Sequence, residues 1–281
     1  MTHLTLLHCP EPSAAARGQV LARIPGELVA AEGHWRLHHE RPAGAEALAD
    51  LRRLLPFDIN TAPEGFEPDA VGLIVSDMDS TLITIECIDE LADRLNLKPQ
   101  VAAITEAAMA GELDFAGALR QRVALLEGLA EQELLKVYLE RLRYSSGAAL
   151  LAADARTAGI RTAVVSGGFT FFTEKVKISL DLDFARANEL EIVDGRLTGR
   201  VQGEICGPEQ KARFLVRLRE QLGLRPGQCI AVGDGANDSL MLAEAGLGVA
   251  FRAKPKLEAA ADVVIRHGGL DNVCHFFKAA P

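Results

Sequence analysis

The sequence has no Cys-x-x-Cys pair, no apolar run long enough to cross a membrane and no surplus of positive charge. Its five cysteines, Cys9, Cys87, Cys206, Cys229 and Cys274, are scattered and odd in number. That pattern speaks against a disulfide scaffold and structural zinc, and for a reducing compartment. The first residues lack a basic stretch followed by an apolar one, so no secretory signal is expected. With no membrane-length run, the expectation is a soluble, cytoplasmic protein that does not engage a membrane. The formal net charge of −9 argues against nucleic acid as a partner, because phosphate backbones need basic patches. A small anionic substrate stays open, since a few local cations and a metal can outweigh a modest global charge.

What is present begins at Val71. Val71 to Val75 is a short, β-branched apolar run that reads as a buried parallel strand, and it breaks into Ser76-Asp77-Met78-Asp79-Ser80-Thr81. In open α/β sheets, ligands sit beyond the carboxyl ends of such strands. Acids two residues apart project to the same side while strand geometry lasts. Such a pair can bind a divalent cation, attack an electrophile or divide acid and base roles; a turn with a helix N-cap explains it equally well. A second acid cluster follows another buried strand, Cys229 to Val232: Gly233-Asp234-Gly235-Ala236-Asn237-Asp238. Glycines there allow close backbone approach, and the carboxylates and amide offer hard oxygen ligands.

The 281 residues suit one large domain or two smaller ones. Residues 1–70 read as a small α+β module: strands at Leu4 to Leu7 and within Glu27 to Leu37, a helix from Ser13 to Leu21, and an amphipathic helix from Glu46 to Leu55. Leu48, Leu51, Leu54 and Leu55 form the stripe of that helix, and Asn60 to Pro68 reads as a linker. Such a module suits a regulatory appendage, although it carries no binding motif. His34 and His38, with His39 beside them, could ligate a metal on a helix; on a strand that geometry fails. Residues 71–281 form the second unit, with helical spacing over about 85–145 in four segments. Pro99, Gly111 and Gly128 punctuate them, and Asp114 is a candidate N-cap. Short connections make this a helical bundle, inserted after the first core strand as a lid.

Arg122 lies on the apolar stripe Phe115, Leu119, Arg122, Leu126, where an inward charge needs an anionic partner. Glu86 opens the first lid helix. A snorkelling arginine and a dipole-complementing glutamate explain each residue alone; together, an acid and a guanidinium could grip the ammonium and carboxylate of an amino acid. Ile160 to Val165 is a further strand, ending in Ser166-Gly167-Gly168-Phe169, which is either a phosphate cradle or a simple strand-to-helix turn. Val193-Asp194-Gly195 marks a hairpin. Lys211 sits in the first turn of a helix, the end that disfavours a cation; it is an ordinary solvated lysine or a cation aimed at phosphate.

Four patches, Asp77-Met78-Asp79-Ser80-Thr81, Ser166, Lys211 and Gly233 to Asp238, stand in the order found in the haloacid dehalogenase superfamily. Over residues 71–270 the chain resembles that superfamily. The resemblance implies an α/β Rossmannoid three-layer core with a parallel sheet and an inserted helical cap. Glu86 nine residues past Asp77, Met109 to Phe115, Arg122 and Val165 to Phe169 are similar to the phosphoserine phosphatase family. This implies hydrolysis of O-phospho-L-serine, the last step of serine biosynthesis, through an aspartyl phosphate on Asp77, with Asp79 as general acid and base. By the same resemblance Mg²⁺ is held by Asp77, Asp234 and the backbone carbonyl of Asp79. Lys211, Ser166 and amides near Met78 stabilise the phosphoryl oxygens, while Glu86 and Arg122 hold the amino and carboxyl groups. Met109 and Phe115 line the lid, Gly167 and Asn237 contact phosphate or substrate, and Thr81 and Asp238 support the site. Rival readings are a phosphotransferase to another hydroxyl amino acid such as homoserine, and a non-enzymatic phospho-aspartate switch. A homodimer is carried as an expectation.

Overall fold

A computed structural model describes residues 3–277, the Met109 side chain apart. The N-terminal module runs β1 (His3–Leu7), α1 (Ala14–Arg23), β2 (Glu27–Ala31), β3 (His34–His39), α2 (Ala45–Leu54) and β4 (Ile59–Thr61). Its antiparallel sheet has the order β2-β3-β1-β4, a βαββαβ arrangement. Ser13 starts α1 by accepting the Ala16 N–H on its hydroxyl at 3.1 Å, a cap worth about 1 kcal/mol. Val20 and Ile24 follow α1 and Leu51 and Leu55 follow α2 into one core, against Leu7, Leu37 and Ile59 of the sheet. Leu54 points outward at 52% exposure, so the apolar stripe of α2 is Leu48, Leu51 and Leu55.

Two expectations for this module change. The segment read as a linker begins instead with β4, whose Thr61, Asn60 and Ile59 pair with Thr5, Leu6 and Leu7 of β1. The histidines of β3 do not form a metal site: His34 stacks on His275 with ring centroids 4.1 Å apart, and His39 bonds Thr5 through Nε2 at 2.9 Å. Strand geometry is the reason, because residues four apart on a strand lie too far apart to share an ion.

The second sheet has seven strands in the order β11-β10-β9-β5-β6-β7-β8: β5 (Leu73–Ser76), β6 (Arg161–Phe169), β7 (Phe184–Val193), β8 (Arg196–Gln202), β9 (Cys229–Gly233), β10 (Leu247–Phe251) and β11 (Val263–Ile265). All pairings are parallel except that of β8 with β7. Asp194 (φ 51°) and Gly195 (φ 72°) turn this last hairpin, as two positive φ values require. Between β5 and β6 lie the cap helices α3 (Cys87–Asp93), α4 (Lys98–Met109), α5 (Phe115–Ala124) and α6 (Gln132–Glu140), then α7 (Ala148–Thr157). The helices α8 (Thr170–Leu180), α9 (Pro208–Gln221), α10 (Ser239–Ala243) and α11 (Pro255–Glu258) are the remaining α-helices among the described residues.

Alternation along β5 explains the layers. Leu73 and Val75 face Phe214, Leu215 and Leu218 of α9 and Met241 of α10. Ile74 belongs to the opposite cluster, with Leu151 and Ala155 of α7 and Phe172 and Val176 of α8. Both faces are covered, as a parallel sheet requires. The chain leaves β5 towards β6 on one side and β9 on the other, which opens a crevice at the carboxyl end of β5. The cap hangs over that edge, and its base rests on β8, where Leu197 N–H donates to Leu129 O at 2.9 Å and Gly128 N–H to Leu197 O at 2.9 Å. No described helix is long and apolar enough to cross a membrane.

Asn60 and Asp58 fasten the N-terminal module to the edge of this sheet. The Asn60 amide accepts Val264 N–H at 2.8 Å and donates to Val264 O at 3.0 Å, so a side chain supplies what a neighbouring strand would. Asp58 accepts Arg266 N–H and Gly268 N–H, each at 2.9 Å. Asn60 is fully buried, so its removal strands two backbone groups at a cost of about 1–3 kcal/mol each. Asn60→Ala should lower the thermal midpoint and speed proteolytic cleavage near residues 62–67; unchanged melting and cleavage would show that β11 does not depend on this contact.

Candidate active site

The acids at the end of β5 are placed by one wide turn. Asp77 ends the strand with its N–H on Val232 O at 2.9 Å. The chain then loops so that Ile83 N–H reaches Met78 O at 3.0 Å, with Ser80 in the left-handed region at φ 56°. This strain at a non-glycine residue aims Asp77 and Asp79 at different partners.

Asp77 Oδ1 accepts the Met78 N–H at 2.7 Å, and its Oδ2 lies 2.8 Å from Lys211 Nζ. The same ammonium reaches Asp238 Oδ1 at 2.7 Å. Lys211 and Asp238 are completely buried and Asp77 nearly so. Burial pulls the Lys211 ammonium down, but Asp238 and Asp77, by charge and hydrogen bond, outweigh it and hold its pKa above the ordinary lysine value. Breaking such a buried pair costs about 3–5 kcal/mol. The α9 helix begins at Pro208 after Gly207, so the unfavourable dipole at Lys211 is offset by two carboxylates.

Asp79 turns the other way. Its Oδ1 accepts the Cys87 N–H at 2.9 Å, and its Oδ2 accepts the Ser166 hydroxyl at 2.9 Å. Gly168 N–H donates to that hydroxyl oxygen at 2.8 Å. A Cβ on Gly168 would come within 2.5 Å of Asp79 Oδ2, so only glycine permits this approach. Across the crevice, Thr81 donates to Asp234 Oδ1 at 3.0 Å, and Gly235 N–H reaches Asp238 Oδ2 at 3.1 Å. Asn237 lies half-buried beside Asp238, its Nδ2 3.5 Å from Asp238 Oδ1.

Carboxylate oxygens of Asp77, Asp234 and Asp238 lie within 4.8 Å of one another. Burial, then the Asp238 charge, pushes the Asp77 carboxyl well up despite Lys211. The same two causes raise Asp234 to about 6. Because Asp77 and Asp238 share the one Lys211 ammonium, Asp77 and Asp234 are left as under-neutralised hard oxygen donors. That is the donor set a divalent cation relieves.

The cap brings in the remaining candidates. Glu86 precedes α3 at the crevice mouth, open to solvent on one side, and accepts the Ser80 hydroxyl on Oε1 at 2.7 Å. Burial by the surrounding protein, then the Asp79 charge, raises its carboxyl to about 7. Arg122, half-buried on α5, donates from Nε to Ala118 O at 3.3 Å. Burial lowers its guanidinium pKa, and Asp89, Glu86 and Asp79 oppose the shift, so Arg122 and Glu86 share one electrostatic neighbourhood. Asp114 caps α5 through Gly117 N–H at 2.6 Å, fixing Phe115 at the first helical position. The Phe115 ring lies against two glycines: a Cβ on Gly167 would stand 2.8 Å from its Cζ, and one on Gly207 3.1 Å from its Cδ1. The cap is thereby seated on the core. Met109 ends α4, and its side chain falls outside the described residues. A cleft of about 780 Å³ lined by residues such as Arg23, Glu27, His38 and Arg41 belongs to the N-terminal module, apart from these acids.

The comparisons agree with this architecture. Residues 74–243 match the family model described as haloacid dehalogenase-like hydrolase. The chain belongs to that family. A phosphoserine phosphatase of a Polaromonas species is 48% identical over 225 residues, covering 78% of this chain and 95% of the relative. A probable phosphoserine phosphatase from Vibrio cholerae superposes with a TM-score of 0.84 at 36% identity, covering 98% of this chain and 86% of that one. A substrate-bound phosphoserine phosphatase complex matches at 0.70 and 39% identity over 74% of this chain and 99% of that one.

Two residues that carry the site's geometry were not singled out from the sequence. Cys87 supplies a backbone N–H to Asp79, which no side-chain pattern announces. Asn188 is a completely buried amide on β7; a polar residue within a strand is the one signal it leaves.

The raised carboxyls carry a linkage sign. Asp234 loses its proton near 4 when unfolded and near 6 when folded, so the native metal-free state binds more protons in that window and loses stability as pH rises through it. An added divalent cation should therefore raise the thermal midpoint more at pH 8 than at pH 5. An equal shift at both, or none, would remove these carboxylates as the cation site.

Proposed function

We propose that the chain hydrolyses O-phospho-L-serine to L-serine and phosphate, the last step of serine biosynthesis, through an aspartyl phosphate on Asp77. The reading rests on Glu86 and Arg122, an acid and a guanidinium that feel one another's charge on the cap inserted after the strand that leads to Asp77. They offer one group to each charged end of an amino acid while Lys211 faces Asp77. The 48% identity to a phosphoserine phosphatase supports it.

Asp77 is held at both oxygens, by Met78 N–H and by Lys211, so its attack on phosphorus starts from a fixed rotamer. Lys211 carries its proton throughout and offsets charge building on the phosphoryl oxygens. Rotation of the Ser166 hydroxyl from Asp79 towards a phosphoryl oxygen adds a second donor there and frees Asp79 Oδ2. Asp79, taking up a proton from solvent on the freed Oδ2, gives it to the departing serine oxygen and takes one back from the water that cleaves the aspartyl phosphate. Asp238 keeps Lys211 in place. Asp77 and Asp234, with the Asp79 carbonyl, are the ligands for Mg²⁺, which supplies electrostatic stabilisation of the transferring group. Phe115, seated on Gly167 and Gly207, excludes bulk water while serine is bound.

Asp77→Asn should reduce turnover by at least about a thousandfold; retained activity removes Asp77 as nucleophile. Glu86→Ala and Arg122→Ala should each cost phosphoserine hydrolysis about tenfold to a hundredfold, the worth of a charged hydrogen bond, and spare hydrolysis of a simple aryl phosphate. Equal losses on the two substrates would reject the amino-acid grip. Assaying a panel of small phosphomonoesters with and without Mg²⁺ tests substrate and cation together.

A further inference from the structure

The ladder between β6 and β7 breaks where the site begins. Val165 pairs with Arg186 and Phe169 with Asn188, so the segment of β6 holding Ser166, Gly167 and Gly168 bulges out between two pairing positions that are only two residues apart on β7. Bulges re-aim side chains beside active sites and strip backbone groups of their ladder partners. Here the missing partner is a side chain. Asn188 Nδ2 donates to Gly167 O at 2.8 Å and to Gly168 O at 3.2 Å.

The other end of the same amide leaves the bulge. Asn188 Oδ1 accepts the Cys206 N–H at 2.7 Å. The next residue, Gly207, precedes α9 and accepts the Lys211 N–H at 3.0 Å. One buried planar group therefore spans from the bulge bearing Ser166 to the turn that launches Lys211. Gly167 and Gly207, the two glycines on which Phe115 rests, are each bonded to Asn188 directly or through the adjoining residue. An amide suits the position because it donates and accepts at once. A carboxylate would face two carbonyl oxygens, and an alkyl group would leave three backbone groups unpaired.

We propose that Asn188 is a positioning residue for phosphoryl transfer, setting the distance between the Ser166 hydroxyl and the Lys211 ammonium across the site. This rests on the assignment of Ser166 and Lys211 to the phosphoryl group made above. It goes further in placing control of their spacing on a residue that touches neither substrate nor metal.

The test compares Asn188→Ala and Asn188→Asp with the unaltered full chain. It measures kcat and KM for an aryl phosphate and for phosphoserine, inhibition by inorganic phosphate, and the thermal midpoint. A misplacement near 1 Å costs about a hundredfold, so the expected result is a fall in kcat of about tenfold to a hundredfold, equal on the two substrates, with weaker phosphate inhibition. Assays run well below each variant's thermal midpoint. If Asn188→Ala does not fold, Asn188→Asp carries the test, since it keeps the volume and the acceptor for Cys206 N–H. A lowered midpoint with unchanged kcat, KM and phosphate inhibition would overturn the proposal and leave Asn188 a structural staple. So would a loss confined to phosphoserine. Because the aryl phosphate reads phosphoryl chemistry alone, failure of the unaltered chain on phosphoserine would reject the substrate assignment without touching this comparison.

Discussion

One fully buried ammonium, shared between two carboxylates, is the constraint on which the site depends. Lys211 Nζ lies 2.8 Å from Asp77 and 2.7 Å from Asp238. Asp77 is the residue after β5, Lys211 lies in the first turn of α9, and Asp238 in the turn between β9 and α10. A charge buried without partners costs several kcal/mol, so the three elements cannot drift apart independently. The geometry that fixes the Asp77 carboxylate is thus also what holds the carboxyl edge of the sheet together. Three acids crowd this one ammonium, and burial, then the Asp238 charge, raises Asp77 and Asp234.

Around that knot the molecule spends its irregular backbone. Ser80 sits at positive φ, β6 bulges at Ser166 to Gly168, and Gly168 lies so close to Asp79 that a methyl group would collide. Each departure from regular structure aims a donor or acceptor at the same crevice, which is where such departures concentrate in enzymes. The cap answers with the Phe115 ring, set on Gly167 and Gly207, so the cap is packed directly on the bulged segment of β6 and on the turn before α9.

Much of this was legible in the amino-acid order. The β5 run, the acid clusters after β5 and β9, the hairpin at Asp194-Gly195 and the Asp114 cap of α5 all announce themselves by local chemistry, and local chemistry decides them. What escaped is set by partners distant in sequence. Asn60 reads as the start of a linker until β11 lies beside it, and Ser166 to Gly168 reads as the end of a strand until Asn188 bridges the bulge and β6 resumes to Phe169. His34 and His38 suggested a metal pair only on the premise of a helix; His275, 241 residues beyond His34 by numbering, stacks on His34 instead. Leu54 falls off its helix's buried stripe because Leu48, Leu51 and Leu55 already fill it. For Asn60, Asn188 and His34, one side chain answers a backbone or ring whose position no local pattern encodes.

The central claim, a covalent phosphoryl-enzyme at the end of β5, is tested most directly by trapping it. Radiolabelled phosphoserine mixed with the protein and Mg²⁺, quenched in acid within a turnover and digested, should leave label on the peptide containing Asp77, as an acyl phosphate labile to hydroxylamine. Steady release of phosphate with no protein-bound label, or label on another residue, would contradict the account.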